Sequence, residues 1–207
     1  MAEYSGFIKT AKEKATKRNF TQSVDIVISI KGLNLKQQTN KFKDSIILPK
    51  GRGESARIGV IGSELILKAK DADVKISNED LSKIKNKKDA KKIADKADFF
   101  IADPKVMVMI GKSLGPILGP RNKMPKPFPP VGDPTGLIKS LRNTVNIKLQ
   151  DTPVIQCLIG NEKMSDEDLA TNAKEIMNRI LSKLPSGQQN IKAVYFKTTM
   201  GPAVKTE

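Results

Sequence analysis

The chain has 207 residues and a strongly basic composition, with 37 Lys and Arg against 22 Asp and Glu and a sequence pI of about 9.8. It contains no His, which excludes histidine-based catalysis and histidine-ligated metals, so we expect neither an enzyme nor a metal or cofactor site. The length fits one large or two small domains. A pI above about 9 is typical of nucleic-acid binding, although excess Lys that only keeps a protein dispersed is the alternative.

The remaining composition gives expectations about location. The single Cys157 lies in the apolar run 153–159, which predicts a buried strand residue rather than a nucleophile. The first residues are polar, without an apolar stretch of signal-peptide length, and no run of about 18 apolar residues occurs. We therefore expect a cytoplasmic protein without a membrane partner.

The N-terminal segment predicts a helix and two strands. A basic helix is expected over residues 5–18, with Ser5 as its cap. An alternation that places Val24, Ile26, Ile28 and Ile30 on one face predicts a strand over Ser23–Ile30, and a second strand is expected over Lys43–Leu48. The turn-rich residues 49–53 that follow indicate a crossing between domains.

The middle segment has a different pattern. Short apolar runs without alternation predict buried strands over Arg57–Ile61, Phe99–Ala102 and Val106–Ile110. Helices are expected from a capping box at Ser77 and over Ala90–Ala97. Strands alternating with helices favour a small α/β domain with a largely parallel sheet. A lysine run accompanies these helices: residues 81–96 hold seven Lys against Asp89 and Asp95, at positions 83, 85, 87, 88, 91, 92 and 96.

Residues 111–136 hold five Gly and seven Pro, which predicts a long loop without regular structure. Around it, residues 105–148 carry eight cations and the single anion Asp133. Such a loop could approach phosphates closely, or it could be a solvated basic surface. Its Gly111-Lys-Ser lacks the preceding glycine of a phosphate loop, since Val106 stands there.

The C-terminal segment returns to alternation. Strands are expected at residues 145–149, 153–159 and 193–198, with an amphipathic helix capped by Ser165 between the last two. Because both ends share this pattern, we predict one discontinuous, split α/β domain with helices on a sheet, residues 1–53 plus 143–207. The second domain, residues 54–142, is inserted between its halves. The scarcity of aromatic residues favours structured RNA over single-stranded bases as the partner.

Three stretches resemble the family of ribosomal protein L-one, the mobile-stalk protein of the large subunit. They are Leu118-Gly-Pro-Arg-Asn-Lys-Met-Pro-Lys-Pro127, Thr198-Thr-Met-Gly-Pro202 and Arg18-Asn-Phe-Thr-Gln-Ser-Val-Asp25. The resemblance covers essentially the whole chain in the right order. The form Lys-Met-Pro-Lys-Pro resembles the archaeal members of the family.

The resemblance implies a Rossmann-like fold for the inserted α/β domain and an rRNA-binding role for the terminal domain. It also implies help in releasing deacylated tRNA from the exit site and repression of the chain's own mRNA, by a chain that we expect to be monomeric off the ribosome. The rRNA contacts carried over by motif position are Phe20, Asp25, Thr199, Met200 and Gly201, and a possible rRNA or tRNA contact loop holds Arg121, Lys123 and Lys126. For Phe20 the alternative is a core aromatic. Rival functions are a phosphate-handling enzyme built on the inserted domain and a DNA-binding protein.

Overall fold

A computed structural model describes residues 2–84, 86–129 and 132–206, so Lys85 of the lysine run and residues 130 and 131 of the Gly- and Pro-rich segment lie outside the described residues. The helices are α1 (Ala2–Glu13), α2 (Ser63–Lys68), α3 (Asn78–Lys83), α4 (Lys87–Lys96), α5 (Met107–Ser113), α6 (Gly115–Leu118), α7 (Thr135–Arg142) and α8 (Asp166–Lys183). The strands are β1 (Ser23–Ile30), β2 (Phe42–Ile47), β3 (Ile58–Ile61), β4 (Val74–Ile76), β5 (Phe99–Ala102), β6 (Lys126–Pro127), β7 (Thr144–Leu149), β8 (Val154–Asn161), β9 (Ile191–Thr198) and β10 (Val204–Lys205). Short 3-10 helices cover Gln38–Asn40, Pro104–Val106 and Gly187–Asn190.

The chain divides into two compact units, residues 1–54 with 143–207 and residues 55–142. We call them the terminal unit and the middle unit. None of the described helices is long and apolar enough to cross a membrane.

The terminal unit is built on an antiparallel sheet in the order β10-β9-β1-β8, beside the antiparallel pair β2-β7. Alternation in β1 buries Val24, Ile26, Ile28 and Ile30 in one core with apolar side chains of α1 and α8, and leaves the other face of this strand partly open. The strand predicted for Ser23–Ile30 is thereby confirmed at both ends. Burial of Cys157 in β8 is also confirmed, and burial raises the pKa of its thiol to about 12.

Two predictions about α1 are corrected. The helix ends at Glu13 rather than at residue 18, and Ser5 lies inside it rather than at its cap. Residues 16–20 that follow are all exposed. They have no apolar face to bury, and a short helix in water is not stable without tertiary packing.

The middle unit is built on a parallel sheet in the order β4-β3-β5-β6. Every residue of β3 and β5 is buried, because apolar clusters cover both faces of the sheet, so the prediction of strands buried on both sides is confirmed there. The predicted capping box at Ser77 is confirmed: its hydroxyl oxygen accepts from the amide of Asp80, whose carboxylate accepts from the amide of Ser77.

The strand predicted for Val106–Ile110 is wrong. Pro104 begins a 3-10 turn that continues into α5. Asp103 caps the start of this turn, because its side chain accepts a hydrogen bond from the amide of Lys105. The buried residues Val106, Ile110 and Leu114 recur every four positions, which is a helical period. The irregular loop predicted for residues 111–136 is also wrong in part, because α6 begins beside Pro116 and α7 begins at Thr135. Proline suits the first turn of a helix, where no intrahelical donor is needed.

Candidate nucleic-acid interface

The start of β1 and the turn after β9 are held together at one end of the terminal unit. Val24 pairs with Thr198 across the two strands. One residue further, the amide of Thr199 donates to the carbonyl of Ser23 over 3.0 Å. The amide of Ser23 donates to Oγ1 of Thr199 over 3.0 Å, and the two hydroxyls lie 2.9 Å apart. The turn therefore starts from a fixed position on the sheet.

A buried amide fixes the rest of this end. Gln22 is only 1% exposed, and its Nε2 donates to the carbonyl of Thr16 over 3.0 Å. Its Oε1 accepts from the amide of Met200 over 3.1 Å, and its own carbonyl accepts from the amide of Glu162 over 2.9 Å. The side chain of Gln22 thus joins the loop after α1 to the turn after β9, and its backbone carbonyl binds the residues after β8.

Gln22 is absent from the residues predicted for the site, although the sequence held a signal for it. The alternation that buries Val24 and Ile26 extends back by two to Gln22. A polar residue on the buried face of a strand needs hydrogen-bond partners, which makes it a candidate for a structural anchor.

Two large apolar side chains are exposed to solvent on the loop and the turn that Gln22 joins. Phe20 is 51% exposed and Met200 is 56% exposed, so the alternative of Phe20 as a core aromatic is wrong. The backbone amide of Met200 is itself bonded to Gln22, and Phe20 lies two residues before Gln22 in the chain. Exposed apolar side chains on ordered backbone are suited to pack against the sugars and bases of a folded RNA.

Gly201 is required by the packing of the turn. A methyl group at this position would overlap Oγ1 of Thr198 and would lie 3.3 Å from Cβ of Ala15. Glycine therefore lets the turn lie against the residues that follow α1, in addition to the close backbone approach to RNA expected from sequence.

Asp25 lies on the open face of the sheet, on the same side of β1 as Ser23. It is paired with Lys197 of β9 and with Leu158 of β8, and it lines a shallow depression of about 240 Å³ with both of them. Burial raises the pKa of Asp25, and the charge of Lys197 partly offsets this. The structure thus brings Phe20, Thr199, Met200 and Gly201 to one end of the unit, with Asp25 on the adjoining sheet face.

The predicted contact loop belongs to the middle unit, and two of its three cations are already engaged there. Nζ of Lys123 donates to the carbonyls of Ala94 over 2.9 Å and Ala97 over 2.8 Å, at the C-terminal end of α4. Arg121 forms an ion pair with Asp95 of the same helix. Lys126 lies in β6 and makes no hydrogen bond or ion pair through its side chain with the residues described in the structure. These contacts give Lys123 a structural role that the sequence did not indicate.

Comparison with known proteins gives consistent matches along the chain. The chain is 43% identical over 202 residues to large ribosomal subunit protein uL1 of Methanothermobacter thermautotrophicus, which covers 96% of this chain and 95% of the relative. It is 46% identical over 202 residues to the protein of the same name from Methanobrevibacter smithii, with the same coverage. For that of Pyrococcus horikoshii the identity is 45% over 205 residues, covering 97% of this chain and 93% of the relative.

A model of the Ribosomal protein L1p/L10e family matches residues 11–202. Proteins of this family are structural rather than enzymatic, and they are located on the ribosome in the cytoplasm. This chain belongs to the Ribosomal protein L1p/L10e family, in its archaeal form, and is accordingly a structural constituent of the large ribosomal subunit.

Proposed function

We propose that the terminal unit binds folded large-subunit rRNA at the mobile stalk through the turn after β9 and the loop before β1. The observation that carries the proposal is the pair of exposed side chains, Phe20 and Met200, on backbone fixed by the buried Gln22. Because the backbone that carries these side chains is already fixed, its ordering adds little to the conformational entropy lost on binding. Family membership, which implies binding to the large subunit and its rRNA, supports the same partner.

Each remaining site residue has a role in this proposal. Met200 and Phe20 supply apolar contacts, and Gly201 lets the turn pack closely enough to present them. The linked hydroxyls of Thr199 and Ser23 present a hydrogen-bonding edge to a 2′-hydroxyl. Asp25 accepts a hydrogen bond from a ribose or base donor, and it excludes RNA segments that would place a phosphate there.

We further propose that the two units are separate domains with different tasks, and that the parallel sheet with helices of residues 54–142 is Rossmann-like. In the ribosome the protein assists the release of deacylated tRNA from the exit site, and Arg121 and Lys126 of the middle unit are the candidates for RNA contact there. A structure in the chain's own mRNA that resembles the rRNA site would be bound by the same turn, which would repress translation. Off the ribosome the chain is a monomer.

The test is the affinity of the full chain for an archaeal stalk rRNA fragment and for a scrambled duplex of equal length. Met200→Ala and Phe20→Ala should each weaken binding to the stalk fragment by about 1–3 kcal/mol, or roughly 5- to 150-fold, and leave scrambled-duplex binding nearly unchanged. Met109→Ala, which changes a half-exposed methionine of the middle unit, is the matched control and should change neither affinity. Equal weakening for both RNAs would show that Met200 does not contribute to specific binding.

A further inference from the structure

The outer face of α4 in the middle unit is a surface of lysines. The helix turns Ala90 and Ala94 inward, and Ile93 is partly buried against the same core. Five exposed positions of the helix carry lysine, namely Lys87, Lys88, Lys91, Lys92 and Lys96. We call these five residues the α4 lysine face. No apolar side chain of α4 is exposed beside them.

Little of this charge is neutralised within the unit. Asp89 lies 3.6 Å from Nζ of Lys92, and Asp95 is paired with Arg121 instead of a lysine of the helix. In the described parts of the chain, no carboxylate lies within ion-pairing distance of Lys87, Lys88 or Lys91. The face therefore keeps most of its positive charge in the free protein.

The arrangement is costly for the helix itself. Lys87 and Lys91, like Lys88 and Lys92, are four residues apart, and like charges at this spacing destabilise a helix. Lys87 and Lys88 also lie in the first turn, where the helix dipole disfavours cations. The alanines on the inner face bury little area to offset these effects. An anionic partner laid along the helix would remove the repulsion.

The positive charge continues past the C-terminal end of α4. Lys123 is held there by the carbonyls of Ala94 and Ala97, and Arg57 donates through Nη2 to the carbonyl of Asp95 over 3.1 Å. These cations suit the negative end of the helix dipole, and both lie within ion-pairing distance of Asp98, at 3.8 Å for Lys123 and 3.9 Å for Arg57. Among the cations on α4 and next to its C-terminal end, those left without a carboxylate partner therefore belong to the α4 lysine face.

We propose that the α4 lysine face is a second RNA-binding surface, which contacts the phosphates of double-helical RNA without reading its sequence. It is separate from the turn in the terminal unit and does not depend on that assignment. The face lacks the exposed apolar side chains that a membrane-surface helix or the centre of a protein interface would need. Lysine acts on phosphate as a mobile point charge, which suits contact without sequence preference. Lysines four residues apart rise about 6 Å along the helix, so successive lysines can reach different phosphates.

The first experiment measures the salt dependence of binding of the full chain to an unrelated RNA duplex. The variant Lys88→Gln/Lys91→Gln removes two charges from the face, and Lys70→Gln/Lys112→Gln removes two exposed charges elsewhere in the same unit. Each lost phosphate contact should reduce the slope of log affinity against log salt by about one unit. The α4 variant should therefore lose about two units, and the control variant less than one. Equal losses would overturn the proposal, because only total charge would then matter.

The second experiment maps lysine reactivity toward an amine-reactive reagent, with readout by mass spectrometry. The RNA duplex should protect Lys87, Lys88 and Lys91 several-fold more than Lys70 and Lys112. Polyglutamate at equal charge serves as the protein-like polyanion. Protection by polyglutamate but not by RNA would assign the face to an acidic protein and overturn the proposal. Met200→Ala should leave the RNA protection of the face unchanged, which separates this surface from the one in the terminal unit.

Discussion

The backbone amide of Met200 donates a hydrogen bond to Oε1 of Gln22 over 3.1 Å, although the two residues are 178 positions apart in the chain. Gln22→Leu keeps the size of the side chain and removes this bond, together with the one from Nε2 to Thr16. Because both bonds are part-buried and the substitution places an apolar side chain against the amide of Met200 and the carbonyl of Thr16, we expect the terminal unit to lose about 1–3 kcal/mol of unfolding free energy.

Tyrosine fluorescence measures this change selectively, because both tyrosines, Tyr4 and Tyr195, belong to the terminal unit and the chain has no Trp. Gln38→Leu makes the same change at an exposed position of that unit and should be nearly neutral. Unchanged stability of Gln22→Leu would mean that the amide does not fix the turn.

The same turn should reject a methyl group at Gly201. Gly201→Ala would overlap Thr198 and press on Ala15, so we expect a loss of about 1–3 kcal/mol in the unfolding free energy of the terminal unit. Gly6→Ala is the control, since among the described residues no atom outside the helix's own backbone and the chain neighbours lies within 4 Å of the added carbon, and position 6 is helical. It should stabilise the protein by about 0.5–1 kcal/mol. If both variants are stabilised, the turn is looser than the structure shows.

Asp25 should destabilise the free terminal unit at neutral pH. Burial, the larger influence, raises the pKa of its carboxyl above the ordinary value of 3.8, and Lys197 lowers that pKa less. The folded state then holds the proton more tightly than the unfolded state does. The penalty is present above the folded pKa and is relieved as pH falls toward 3.8. Asp25→Asn should raise the midpoint of tyrosine-detected denaturation at pH 7 and have little effect near pH 3.

Asp44 provides the opposite case in the same unit. Burial alone would raise the pKa of Asp44, but hydrogen bonds from Arg179 and the amide of Ser45, with the charges of Arg179 and Lys183, lower it. Its stabilisation is present above the ordinary value of 3.8 and is lost as pH falls through the folded pKa. Asp44→Asn should therefore lower the pH 7 midpoint. A shift of the same sign for both variants would contradict the assigned environments.

Lys123→Ala should act on stability as well as on charge. The substitution removes two hydrogen bonds to the carbonyls that end α4, which we expect to cost the middle unit about 1–2 kcal/mol. The measurement is the midpoint of the calorimetric unfolding transition of the middle unit, which is the transition that tyrosine fluorescence does not report. Lys126→Ala, three residues away, should leave that transition in place. An equal effect of both substitutions would assign Lys123 to the solvated surface expected from sequence.

The middle unit should be dispensable for specific rRNA binding, because Phe20, Asp25 and Thr199 to Gly201 all belong to the terminal unit. Joining residue 53 to residue 143 through a short linker should give a folded protein that discriminates the stalk fragment from a scrambled duplex. Tyrosine-detected denaturation checks its folding independently of binding. A folded product without discrimination would place the specific site elsewhere.

Where the sequence pattern had a single physical meaning, prediction succeeded. The alternation of β1 and the cap of α8, where Ser165 accepts from the amide of Asp168, depend on local geometry alone. The sequence from Val106 to Ile110 is compatible with two structures, because branched and apolar residues fit a strand as well as a buried helix. The helix forms because Asp103 and Pro104 before it provide a cap and a first turn.

The site was predictable only in part. Motif resemblance supplied the exposed residues of the turn, but the buried contact of Gln22 with Met200 depends on bringing distant strands together. The contacts of Lys123 with backbone carbonyls could not be predicted either, since no local sequence pattern indicates that a loop lysine will lie at the end of a helix 26 residues earlier. Long-range partners of polar side chains follow from the tertiary fold, which local patterns do not specify.

The position of β1 between β9 and β8 has a consequence for the order of synthesis. During translation the apolar strand Ser23–Ile30 emerges long before either neighbour exists, whereas the continuous middle unit can fold as soon as residue 142 has left the ribosome. The pairing of β1 with β9 can be completed only after Thr198 has been added, and the turn that we assign to rRNA follows directly in the sequence. An unfinished nascent chain is therefore expected to be unable to bind rRNA specifically, so truncated products would not compete for its site during subunit assembly.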